Sequence, residues 1–181
     1  MIEKRLLGKE GPDVGRIGYG AMALEGYYGV SDDDQAVETI HRALDVGMSM
    51  IDTADAYGAG HNETLVGRAI KGRRNEAFIA TKFGIVFDEK ETGSDLSTGW
   101  GISLKINGNP DYVRKALDGS LKRMGVGVID LWYAHYADPD TPIEETVGAM
   151  ADAVRSGKAR YLGLSNVTAE QVRRAHAVYP I

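Results

Sequence analysis

Four short apolar runs in this sequence lead into side chains that can hold or move a proton. The run MSMIDTA (residues 48–54) contains Asp52 and is followed by Asp55 and Tyr57. AFIATKF (77–83) delivers Lys82, VIDLWYAH (128–135) ends on His135, and ARYLGLS (159–165) ends on Ser165 with Asn166 next. A tyrosine, with an ordinary pKa of about 10, is a poor acid at neutral pH. A lysine ammonium beside it stabilises the phenolate and lowers that value. An aspartate beside the lysine holds the ammonium and balances its charge, and a histidine on the other side can orient a carbonyl oxygen or help shuttle the proton. Such a group suits proton transfer to a carbonyl oxygen during reduction. No side chain donates a hydride, so reduction would require a nicotinamide or a flavin. Taken singly, each residue also reads as a strand-end polar group facing solvent. Taken together they do not, because partly buried charges need partners.

These residues need a scaffold that brings the ends of several runs to one face. The apolar runs alternate with helical patterns. A first run, RIGYGAM (16–22), precedes a helix that Ser31 caps, with Asp34 at the capping-box spacing. Ala36, Val37, Ile40, Ala43 and Leu44 share its inner face and Gly47 stops it. A short helix through Leu65, Val66, Ala69 and Ile70 ends near Gly72. Asn109-Pro110 opens the next helix, which Gly125 closes. Thr141, with Glu144 three residues on, caps another, which Gly157 stops. Thr168 begins the last. Strands separated by helices imply crossover connections and a parallel sheet, and near-continuous apolar runs suit burial on both faces. In a parallel α/β barrel the C-terminal strand ends open on one rim, where the active site lies. No linker, charge block or shift of composition divides residues 1–181, which read as one domain. Residues 84–108, with Gly93, Gly99, Gly101 and Gly108, read as a long irregular loop of the functional kind.

Composition narrows the classes further. The 181 residues include no cysteine, and 21 basic against 26 acidic residues give a net charge of −5. A disulfide scaffold and a disordered chain are excluded, and the acidic balance argues against a general nucleic-acid binder. No apolar run approaches a membrane span and the N-terminus has no signal-peptide stretch, so a cytoplasmic enzyme is the expectation. No Cys/His cluster suggests a metal.

Residues 50–67, MIDTADAYGAGHNETLVG, resemble the signature segment of the aldo-keto reductases. Asp52, Tyr57 and the pair Asn62-Glu63 match that pattern. Lys82 in ATKFG and His135 ending IDLWYAH match the family's catalytic lysine and histidine. GLSN, ending in Ser165 and Asn166, matches the segment that holds the nicotinamide carboxamide, and GYGAM (18–22) resembles the first-strand segment beneath the cofactor. The similarity runs from the first strand to the last residue. It implies a (β/α)8 barrel that reduces aldehydes or ketones with NADPH. Tyr57 would be the general acid, Lys82 the group that lowers its pKa, Asp52 the partner of Lys82 and His135 the orienting residue. Ala21, Met22, Asp52, Ser165 and Asn166 would contact the cofactor. NADP over NAD follows from family habit alone.

Other residues carry weaker expectations. Tyr28 and Trp100, with Tyr27, lie in loops above the rim and could wall a substrate pocket or simply pack. Asp55 reads as a loop or supporting residue, His61 as a surface residue, and His41 and His176 as solvated. Gly58 and Gly60 permit a tight turn. The resemblance implies eight strands, whereas the chain supplies about five βα units, a partial barrel. The expectation is a C-terminally incomplete piece of a longer enzyme, whose open edges would pair with the missing part or with another copy. A catalytically incompetent fragment and a regulatory or binding subunit with the same fold stand as the alternatives.

Overall fold

The computed structural model describes residues 1–98 and 101–181. The chain opens with strands β1 (Lys4–Leu6) and β2 (Asp13–Gly15), an antiparallel hairpin. Then follow β3 (Tyr19–Gly20), helix α1 (Asp33–Val46), β4 (Met50–Asp52), α2 (His61–Ile70), β5 (Phe78–Phe83), β6 (Ser94–Ser97) and β7 (Ser103–Ile106). The remainder is α3 (Pro110–Met124), β8 (Ile129–Ala134), α4 (Ile143–Arg155), β9 (Ala159–Leu164) and α5 (Ala169–Val178). Strands β3, β4, β5, β8 and β9 form one sheet in that order, every pair parallel. This is a partial α/β barrel of five strands, as expected.

Alternation along the strands divides the side chains between two faces. Ile51, Ile79, Phe83 and Trp132 turn toward the helices and pack with Val66, Val113, Val147 and Met150 in one buried cluster. Asp52, Lys82 and Tyr133, one residue out of phase with that set, lie on the opposite face. Two glycines bring elements close. A Cβ on Gly67 would collide with the Met124 backbone, so α2 and α3 touch main chain to main chain, and a Cβ on Gly163 would run into the Tyr133 ring. Among the described residues no helix is long and apolar enough to cross a membrane.

Several local readings need correction. Asp32, not Ser31, caps α1: its carboxylate accepts the N–H groups of Asp34 and Gln35 at 3.0 and 3.1 Å. The aspartate reaches the same orphan donors and adds a negative charge at the positive helix end. Thr141 does not cap α4; its hydroxyl donates to Asp138 instead, at 2.9 Å. Residues 84–108 are not irregular throughout, because β6 and β7 pair antiparallel within them. His41 is half-buried rather than fully solvated, and its Nε2 lies 2.8 Å from the Ala69 carbonyl oxygen. The expected stops at Gly47 and Gly125 are present, both left-handed with φ 96° and 64°. Asn109 caps α3, and a capping box between Thr168 and Gln171 opens α5.

Candidate active site

The ladder between β4 and β5 continues past the strand end and aims the next residues. Thr53 N–H donates to Ala80 at 2.9 Å, and Asp55 N–H to the Lys82 carbonyl at 3.0 Å. The chain then turns tightly over residues 57–60. Gly58, Ala59 and Gly60 all have positive φ, 57°, 51° and 92°. Glycine takes that conformation freely, whereas Ala59 holds it at a cost. The turn folds Tyr57 back over the sheet. Asp52 is in register with Ala80, so Lys82 stands two residues farther along β5 and its stem reaches back.

The lysine ammonium has three N–H donors, and each finds an acceptor. Lys82 Nζ donates to Asp52 Oδ1 at 2.5 Å, to the Thr53 carbonyl at 2.7 Å and to the Tyr57 hydroxyl oxygen at 3.4 Å. It also lies 5.0 Å from the Tyr57 ring centre. The lysine side chain is only 11 % exposed. Burial, and then the negative charge of Asp52, push the Tyr57 phenol up to about 12. The shift is upward, against the expectation of a lowered value. Desolvation of the phenolate and the neighbouring carboxylate oppose ionisation.

His135 follows β8, where its backbone N–H donates to the Phe83 carbonyl at 2.9 Å. Its ring meets Tyr57 edge-on, with centres 5.9 Å apart. Burial, assisted by the Lys82 charge, lowers its pKa to about 4, so the imidazole is neutral at physiological pH. Its Nδ1 is buried with no protein partner. A protonated phenol, a pinned ammonium and a neutral imidazole thus meet at one rim. Together they can donate a proton to an oxygen and stabilise the charge left behind.

The β9 end adjoins this group. Ser165 N–H donates to the Ala134 carbonyl at 3.0 Å, and the Asn166 side-chain amide donates to the His135 carbonyl and to Ser165 Oγ, both at 3.0 Å. Asn166 is left-handed, φ 54°. At the β3 end Ala21 is fully buried and its carbonyl accepts from Asn62 at 3.0 Å, while Met22 is half-buried beside it. Tyr27 and Tyr28 are exposed, and their phenols add to the upward push on Tyr57. Trp100 lies outside the described residues. His61 is a surface residue as expected, and it bridges Glu25 and Asp33 at 3.2 Å each.

The sequence marks Asp55 as a loop or supporting residue and Asn62-Glu63 as part of the signature segment, but not the buried contacts they make. Asp55 is 1 % exposed, with Oδ1 unpartnered, and burial holds its carboxyl well above the usual range. Glu63 is wholly buried, bonded to Thr81 and to Arg123. The signal was there: Asn62-Glu63 stands at the start of a helix whose other inward residues are aliphatic.

A sequence model described as the aldo/keto reductase family matches residues 16–181. The aldo-keto reductase yakc [NADP(+)] of Schizosaccharomyces pombe is 43 % identical over 182 residues, covering 99 % of this chain and 50 % of the relative. Among solved structures, aldo-keto reductase AKR11C1 of Bacillus halodurans (holo form) superposes with a TM-score of 0.81 at 31 % identity. That match covers 96 % of this chain and 55 % of that one. An aldo/keto reductase of Klebsiella pneumoniae in complex with NADP and acetate gives 0.75 at 26 % identity, covering 96 % of this chain and 53 % of that one. The chain spans about half the length of the curated relatives it matches.

Proposed function

The chain belongs to the aldo/keto reductase family, and on that premise we propose that it carries the proton-delivering centre of an NADPH-dependent reduction of aldehydes or ketones to alcohols. The observation that carries this reading is the position of Lys82 Nζ, between Asp52 Oδ1 at 2.5 Å and the Tyr57 hydroxyl at 3.4 Å. Tyr57 gives its phenolic proton to the substrate's carbonyl oxygen as the carbonyl carbon is reduced, and regains a proton from solvent. A phenol that stays protonated below about pH 12 arrives at this step with its proton in place. The Lys82 N–H already directed at the phenol oxygen stabilises the phenolate that forms. Asp52 and the Thr53 carbonyl fix the ammonium so that this bond needs no rearrangement. The neutral His135 imidazole orients the carbonyl oxygen by hydrogen bonding.

When bound, a nicotinamide cofactor supplies the hydride. The rim suits the nicotinamide end: Ser165 and Asn166 offer a hydroxyl and an amide for its carboxamide, and His135 Nδ1 is a buried polar atom in need of a partner nearby. Ala21, Met22 and Asp52 would complete that contact. The relative named for NADP(+) and the Klebsiella structure with NADP support the choice of cofactor. The test is a titration of NADPH into the chain followed by nicotinamide fluorescence. Deuteride transfer from labelled NADPH to a panel of aldehydes and ketones is then read by mass spectrometry. Deuterated alcohol supports the reading. Binding without transfer favours a regulatory or incompetent chain, and absence of binding rejects the cofactor site.

A further inference from the structure

Two consecutive residues at the start of α2 each grip a different strand of the sheet. The Thr53 hydroxyl donates to Asn62 Oδ1 at 2.6 Å, and the Thr81 hydroxyl donates to Glu63 Oε1 at 2.6 Å. All four residues are buried. Thr53 is the neighbour of Asp52 in the chain, and Thr81 the neighbour of Lys82. Because successive strand residues face opposite sides, the helix holds each strand by the side chain adjacent to one member of the Asp52–Lys82 pair. The same two residues reach outward. Asn62 donates to the Ala21 carbonyl at 3.0 Å and to Glu25 at 2.9 Å. Glu63 Oε2 accepts from Arg123 Nε at 2.6 Å.

Arg123 is built into this arrangement. A Cβ on Gly60 would lie 2.6 Å from its Cδ, so the arginine stem seats on the last residue of the turn that carries Tyr57. Its Nη2 donates to Ser120 at 3.3 Å. A buried ion pair does not by itself favour stability over an apolar pair of the same shape. What this pair supplies is direction: one carboxylate, with one oxygen on the strand of Lys82 and the other on the helix that buttresses the Tyr57 turn.

We propose that Asn62 and Glu63 are positioning residues, a clamp that sets the Lys82 ammonium against Asp52 and Tyr57 from the far side of the sheet. The inference rests on the reductase reading for its purpose but not for its geometry. Its test therefore avoids turnover. The ammonium protons of Lys82 are followed by 15N NMR, assigned with Lys82→Met, and their exchange with water is timed. Three acceptors should make that exchange slow. Thr81→Val cuts the link to Glu63 and leaves the ion pair, and Glu63→Gln weakens both. Thr146→Val removes another buried threonine hydroxyl bond, to the Gly108 backbone carbonyl at 2.8 Å, elsewhere in the molecule.

Exchange at Lys82 should accelerate about threefold in Thr81→Val and about tenfold or more in Glu63→Gln, with no change in Thr146→Val. If Glu63→Gln fails to fold, Thr81→Val decides. Parent-like exchange in the folded variants overturns the clamp, as does equal acceleration in Thr146→Val or the absence of a slow Lys82 signal in the parent. If the clamp passes while Lys82→Met still reduces carbonyls at the parent rate, the reductase reading fails alone. If Lys82→Met is inactive while Thr81→Val exchanges like the parent, the clamp fails alone.

Discussion

Lys82 and Asp52 lie 30 positions apart in the chain, and their side chains meet at 2.5 Å on the sheet face turned away from the helices. Neighbouring parallel strands β4 and β5 set this contact. Asp52 is in register with Ala80, and the lysine stem spans the two remaining residues. The contact matters because the same ammonium also reaches the Tyr57 hydroxyl. In the proposed reaction the aspartate holds that ammonium beside the phenol that gives up its proton.

Replacing Lys82 by methionine leaves the stem and removes the charge. Asp52 and the Thr53 carbonyl then lose their donor. The variant should unfold about 1–3 kcal/mol more easily in urea, the usual cost of stranding charged hydrogen-bond partners. Carbonyl reduction should fall by about a hundredfold or more, in line with the loss of an assisting group in acid catalysis.

The histidine carries a pH signature. In the folded chain burial and the Lys82 charge lower His135 from its ordinary 6.5 to about 4. Between those values the unfolded chain binds more protons at this site, so its contribution to stability is complete above the window and is lost as pH falls through it. The full difference is roughly 3 kcal/mol. Urea unfolding of the parent and of His135→Gln at about pH 7 and about pH 4.5 should show the parent losing more stability than the variant. Equal losses would contradict the assignment.

Arg123→Met strands the Glu63 carboxylate, whose side chain has no exposed surface. Removing one partner of a buried pair typically costs about 3–5 kcal/mol. Denaturant unfolding should show a loss of that order, with the double variant Arg123→Met and Glu63→Gln recovering much of it.

Asp32→Ala should cost about 1 kcal/mol of stability, the usual value for a lost N-cap. Ser31→Ala should stay within about 0.5 kcal/mol. The reverse ranking would restore the serine as the cap.

Much of this architecture was legible residue by residue. The runs ending in Asp52, Lys82, His135 and Ser165 became parallel strands or their ends, because short β-rich runs between helical patterns admit few other arrangements. The cap at Asn109 was legible because a proline follows it at the first helical position, and the last helix was legible as starting near Thr168. At residues 31–34 a serine and three aspartates offered several caps, and spacing alone did not select Asp32. The pairing of β6 with β7 was hidden in a glycine-bearing stretch: Ile102, Leu104 and Ile106 alternate with polar residues, but the partner segment Ser94–Ser97 carries one apolar residue, Leu96. The direction of the Tyr57 shift depends on how deeply the phenol is buried and on where Asp52 sits. Both are properties of the assembled sheet. So is the contact of Glu63 with Thr81 and Arg123, which draws on three separate elements.

Proton delivery in the proposed reaction depends on the Tyr57 hydroxyl. Tyr57→Phe keeps the ring and its edge-on contact with His135 while deleting the hydroxyl that faces Lys82. NADPH oxidation by the parent and by this variant, on an aldehyde that the parent reduces, tests the claim most directly. The variant's kcat should be about a hundredfold to ten-thousandfold lower, with NADPH affinity and melting temperature near those of the parent. Parent-like turnover by Tyr57→Phe would contradict it.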